Sequence, residues 1–360
     1  MRLVVIALIG MLGTAHADDA PPKARTFAGS IQLDYLAVPT EDRGRVLTFD
    51  GATVELSLKH AVDLSEHTSA SVKVCFACHG FEAGMAFVEL RAADELHVRV
   101  GRMTPAFGAF PARHDPANHL TSDKPLPYDM GRMVRYTDWN EGVLPAPWVD
   151  NGIEVGGTRF FEYGRLDYAV WAMSGPKANA DGNDFDFVQS RSGDLYYVDN
   201  NSQPAAGARV SGAMELLGHG TLELGASAMG GHYDPNAKLW FWIGGVDVAV
   251  DLEDVVKLRG EYLYRRTDVA MADHFDKQGF YVEGDVPIGR VDLLARFDGL
   301  HRSGDLPAGS MLAATSTLLR YTAAVAVKVD TIRIKSSVEL YDFTEFDREL
   351  AVHLGLATPF

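Results

Sequence analysis

Hydrophobic and polar residues alternate along most of this 360-residue chain. In Leu96-His97-Val98-Arg99-Val100-Gly101, one face carries Leu96, Val98 and Val100 and the other carries His97, Arg99 and Gly101. Gly260-Glu261-Tyr262-Leu263-Tyr264-Arg265 and Val291-Asp292-Leu293-Leu294-Ala295-Arg296-Phe297-Asp298 keep the same period more loosely. A period of two belongs to β-strands whose two faces meet different surroundings. Amphipathic helical spacing is almost absent. Segments of about ten residues, separated by turn residues, are the pattern of a membrane-spanning barrel, with the apolar face toward lipid and the polar face toward the lumen. About sixteen can be laid out. They begin near Phe27, Thr48, Thr68, Gly84, Leu96, Gly152, Arg165, Ala206, Thr221, Leu239, Val255, Lys277, Arg290, Ala313, Ile332 and Arg348. The predicted class is all-β: a closed antiparallel transmembrane β-barrel over residues 27–360, with a long third external loop.

The connections agree with that layout. Links after even-numbered strands are short, at 63–67, 92–95, 162–164, 218–220, 253–254, 287–289 and 330–331. Two links after odd-numbered strands are long, at 104–151 and 175–205. Tight turns at one rim and long loops at the other are expected of an outer-membrane barrel. A soluble sandwich or solenoid has no need of that asymmetry.

The two ends fit the same picture. Met1-Arg2, an apolar run over residues 3–12 and Ala15-His16-Ala17 form a secretory signal peptide, with cleavage expected after Ala17. The run is too short to span a bilayer. Residues 18–26 are expected to be a periplasmic lead-in. The formal net charge of −16 argues against a nucleic-acid partner, since phosphate binding needs a basic surface. No Ser/His/Asp set stands out as hydrolytic machinery, so no enzyme activity is expected.

The last strand closes on Phe360, as in bacterial outer-membrane barrels, with Pro359 as a departure. The string Val98-Arg99-Val100-Gly101-Arg102-Met103-Thr104-Pro105-Ala106-Phe107-Gly108 is similar to the strand that enters the third loop of phosphate-selective-type porins. The chain thus resembles Gram-negative outer-membrane porins. The resemblance implies a cell outer-membrane location with lipid around the barrel, passage of small ions or solutes, and a homotrimer. It also implies that the loop 105–150 folds inward and sets a constriction through Arg113, Asp115, Lys124, Arg132 and Arg135. The loop carries both signs of charge, and the sequence does not declare an ion preference.

One motif lies outside that family. Cys75-Phe76-Ala77-Cys78-His79 holds the only two cysteines of the chain, spaced C-x-x-C and followed at once by histidine. Two thiols at that spacing can bond both vinyl groups of one haem, and the adjacent imidazole can take the iron as proximal ligand. The string resembles the haem-binding string of cytochromes c. Alternation through Ser71, Lys73 and Cys75 puts the thiol of Cys75 on the lumen face, near the outer end of the third strand. His114 and His119 in the long loop are the candidate distal ligands. Two other readings stay open: a disulfide between Cys75 and Cys78 pinning a loop tip, and a metal or redox thiol site. With haem c, the expected role is electron transfer or redox gating at the outer membrane. One haem cannot bridge an apolar core about 30 Å thick, so a multihaem cytochrome partner is then expected. With the disulfide, the chain is a passive diffusion porin.

Overall fold

The computed structural model describes residues 25–38, 51–77, 80–129, 142–178, 185, 199–216, 220–270, 273–305, 315–344 and 347–360. The signal peptide at 1–17, most of the lead-in, Cys78, His79, Arg132 and Arg135 lie outside them.

Sixteen strands form the wall. They are β1 (Arg25–Ala37), β2 (Gly51–Asp63), β3 (Thr68–Ala77), β4 (Gly80–Ala93), β5 (Leu96–Met103), β6 (Asp150–Phe161), β7 (Gly164–Met173) and β8 (Ala205–Glu215). The ring continues with β9 (Gly220–His232), β10 (Trp240–Leu252), β11 (Val256–Asp268), β12 (His274–Ile288), β13 (Val291–Gly304), β14 (Ser316–Val329), β15 (Ile332–Phe343) and β16 (Glu349–Pro359). Each strand pairs antiparallel with its sequence neighbours, and β1 pairs with β16 to close the barrel. Closure leaves no open sheet edge, so the ladders satisfy the wall's backbone groups without water, as a membrane requires.

Alternation decides which face is which. On β3, Ser71 and Lys73 are buried toward the lumen while Val72 and Phe76 are exposed on the outside. The outer surface carries Leu33, Val54, Val88, Val246, Leu258, Val282, Val338 and Leu354, all exposed. Such a surface is stable only against lipid. Aromatic residues gather at its edges: Phe160, Phe161 and Tyr163 at the short-turn rim, Trp240 and Trp242 at the other.

The C-terminus is locked to the first strand. Gly29 donates its amide to the carbonyl of Phe360 at 2.7 Å, and Phe360 donates back at 3.0 Å. The Phe360 ring lies 6.3 Å from that of Phe27. Pro359 does not disturb this seam. Beyond Ala357 only β1 flanks β16, so the missing N–H faces no strand.

The start of β4 differs most from the sequence expectation, while β2, β12 and β14 begin three residues from Thr48, Lys277 and Ala313. Gly80 already pairs with Ala77, so β4 begins before Gly84 rather than at it. The register shifts by one residue beside Lys73 and Val74, and Gly84 is the extra residue. That bulge breaks the alternation from which the later start was read.

Candidate pore constriction

The described residues of the third external loop, 104–129 and 142–149, turn into the barrel. Among them are three short 3-10 turns, Phe110–Arg113, Pro116–Asn118 and Leu126–Tyr128, each with proline at its first or second residue, where a missing amide costs nothing. A loop inside a lumen must still find acceptors for its other amides. Wall carboxylates supply them. Ala106 donates to Glu154 at 2.9 Å, Ala109 and Phe110 donate to the two oxygens of Glu261 at 3.0 and 2.8 Å, and Leu126 donates to Asp298 at 3.0 Å. Gly108 donates to the hydroxyl of Ser227 at 3.0 Å. The hydroxyls of Tyr128 and Tyr281 also donate to Glu261, at 2.6 and 2.5 Å.

Asp123 fixes the far half of the loop. Its carboxylate accepts from Arg296 at 2.7 Å and from Arg320, all three side chains being buried. Burial alone would raise the Asp123 pKa; Arg296 and Arg320 outweigh it and hold the carboxyl well below the usual range. Arg320 also donates to Asp298 at 2.9 Å and to the carbonyl of Lys124 at 2.7 Å. Lys335 donates to the carbonyls of Pro116 and Thr121, and Arg333 to that of Ala117 at 2.9 Å.

The near half crosses the lumen. Arg113 reaches β12, donating to Tyr281 at 2.9 Å and Glu283 at 3.3 Å while stacking on the Phe110 ring at 5.2 Å. Two residues later, Asp115 meets Lys73 of β3 at 2.5 Å. β12 and β3 stand nearly opposite one another in the ring. His114 is buried between these contacts. Its Nδ1 lies 2.6 Å from the Pro111 carbonyl and so carries the proton, which leaves Nε2 to accept from the Lys73 ammonium at 3.0 Å. Burial, then Lys73, push its pKa down to about 3. The ring is neutral at ordinary pH.

The residues expected from the sequence are distributed as follows. Arg113, Asp115 and Lys124 lie in the inward loop, Lys124 donating to the Ala146 carbonyl at 2.7 Å. Both nitrogens of His114 are engaged, which leaves none for a metal. His119 is buried against the Phe110 ring at 6.0 Å, and neither of its nitrogens has a hydrogen-bond partner. Cys75 is half-buried at the outer end of β3, on the lumen parity of Lys73. A Cβ at Gly84 would come within 3.1 Å of its sulfur, so the bulge glycine makes room for the thiol. The loop's main wall partners, Glu261, Arg296, Asp298, Arg320 and Lys335, were not singled out by sequence reasoning. The available signal was a charge at lumen parity in mid-strand, as at Glu261, Arg296 and Asp298 in the alternating segments.

No protein-family model and no curated protein sequence matches the chain. Solved structures do. Salmonella typhi OmpF in complex with daunomycin superposes with a TM-score of 0.61 at 12% identity, covering 93% of this chain and 97% of that one. An anion-selective porin from Comamonas acidovorans gives 0.60 at 12%, covering 94% and 99%. In-vitro folded OmpT of Vibrio cholerae, in its trimer form, gives 0.54 at 10%, covering 94% and 99%. At such identities the likeness is one of fold. That fold is the closed sixteen-strand barrel of Gram-negative outer-membrane porins, and the apolar outer face is that of an outer-membrane protein.

Proposed function

We propose that the chain is a passive diffusion channel of the outer membrane for small ions and solutes, narrowed by its third external loop. The observation that carries this reading is the crossing of the lumen by loop residues two positions apart, Arg113 to Glu283 on one wall and Asp115 to Lys73 on the other. A sixteen-strand barrel without such a loop encloses a wide aqueous channel. With it, passage is confined to the space the loop leaves. The homotrimer expected from the sequence belongs to the same proposal, with the trimer form of the Vibrio cholerae protein as its support. Refolded protein added to a planar lipid bilayer tests the channel reading. It predicts stepwise, ohmic conductance; a purified barrel that inserts and carries no current overturns it.

A second reading rests on the Cys75-x-x-Cys78-His79 motif. Cys75 stands half-buried on the lumen parity near the outer end of β3, the face from which a thioether to haem c would have to project. Cys75 and Cys78 would hold the haem and His79 its iron, and the unpartnered nitrogens make His119 the better distal candidate than His114. When bound, the haem would supply one-electron chemistry near the outer mouth, and a multihaem partner would be needed to carry charge across the bilayer. Haem staining of a denaturing gel, after maturation with haem-attachment machinery, decides this. A stained band lost in Cys75→Ala/Cys78→Ala supports it. No stain, with a Cys75–Cys78 disulfide by mass spectrometry, leaves the passive channel alone.

A further inference from the structure

We propose that the wetted surface beneath the loop is cationic, and that the channel passes small anions in preference to cations although the chain carries a net charge of −16. The inference rests on the channel reading above. Its basis is which member of each ion pair faces water.

Arg99 is 22% exposed and its partner Glu154 only 1%. Arg113 and Arg259, at 20% and 27%, share the single carboxylate of Glu283, which is 4% exposed. Arg209 is 13% exposed against 7% for Asp247, to which it donates at 2.6 Å.

The asymmetry has a cause in the fold. Buried loop amides need acceptors, and carboxylates are acceptors only. Glu154 is therefore held under Ala106 and Glu261 under Ala109 and Phe110. The arginines have longer stems and no acceptor, so they extend past those acids into the water path. Register places them together on the short-turn side of the loop. Arg99 pairs in register with Glu154, and Arg209 with Ser227, the residue under Gly108. Arg259 lies one pleat nearer the short-turn rim than Glu261. Nearer the rim one pair is even, with Lys257 and Asp251 37% and 42% exposed, while Lys328 again outreaches its acid, at 47% against 5% for Asp292. Asp115 opposes the pattern, being the exposed partner of buried Lys73; it stands beside β3, across the lumen from Arg259 on β11 though only two strands from Arg99 on β5. Fixed charges lining a narrow pore set which counter-ion concentrates there.

The test is a reversal-potential measurement across a KCl gradient at low ionic strength, where screening is weak. The expected sign is that of chloride permeating more readily than potassium. Arg99→Gln/Arg259→Gln should lower the chloride-to-potassium permeability ratio about twofold or more, and Asp115→Asn should raise it. Should the arginine variants fail to fold, ion replacement on the unaltered protein decides. Conductance should follow the anion when acetate replaces chloride, and hold when a bulky cation replaces potassium. A cation-selective reversal potential, or conductance that follows the cation, overturns the inference while leaving a channel. Absence of any conductance is instead the failure of the channel reading.

Discussion

Asp123 anchors the inward loop through a doubly paired buried charge, and Asp123→Asn is the perturbation that isolates it. The substitution keeps the shape and removes the charge that Arg296 and Arg320 share. Removing one partner of a buried ion pair costs about 3–5 kcal/mol, because the remaining charge stays buried and unpaired. Here the lower end applies. Asp298 still contacts Arg320 and lies 3.2 Å from Arg296, so neither guanidinium is left alone. A loss of about 3 kcal/mol shifts the docked-to-undocked ratio of the segment 119–126 by about two orders of magnitude. The near half stays seated on Glu261, so the loop is expected to open partly rather than leave the lumen. Single-channel recording at steady voltage reads this as frequent excursions to higher conductance, absent from the unaltered protein. Asp273→Asn, on an exposed residue of an external loop, serves as control. If Asp123→Asn gives the conductance, noise and thermal unfolding midpoint of the unaltered protein, the loop is not held by this contact and the reasoning fails.

Further outcomes follow from the same contacts. A detached loop carries His114 with its ordinary pKa of about 6.5, whereas docking pushes it down to about 3. The undocked state therefore binds the extra proton, and docking weakens as pH falls from about 6.5 toward 3 while being fully kept above that window. Opening frequency should rise on acidification, less so in His114→Gln, and least in His114→Gln/His119→Gln, since His119 is also held well below its usual value by burial and Lys335. Gly108→Ala should loosen the loop seat, because Gly108 has a φ of +68° and an added Cβ would collide with the Tyr128 hydroxyl and with Glu261; a lowered thermal midpoint checks it. Lys73→Met should release the Asp115 side of the bridge and raise conductance, since it removes the donor to both His114 and Asp115.

The barrel was readable because alternation is a local signal. Strand starts placed at Thr68, Leu96 and Ile332 coincide with those observed, and Arg165, Thr221 and Arg348 fall one residue away. The lumen parity of Ser71 and Lys73 followed from the same period. The bulge at Gly84 was invisible because one extra residue leaves no compositional mark beyond a glycine. The loop's inward course was expected only by resemblance. Its anchoring could not be derived, because Asp123 and Arg320 are 197 residues apart and no local pattern pairs them. Lumen-facing charges such as Glu261 and Asp298 look alike in sequence whether they line water or cap a loop amide. Only the fold separates the two roles.

The most direct test of a channel narrowed by its third loop is polymer exclusion in the planar bilayer. Single-channel conductance is recorded with polyethylene glycols of increasing size on both sides. A polymer that enters the pore lowers the current; one that is excluded does not. The predicted result is stepwise conductance with a cut-off at small polymers, moving to larger ones in Asp123→Asn. A large cut-off that the substitution leaves unchanged, or no conductance at all, would contradict a pore set by that loop.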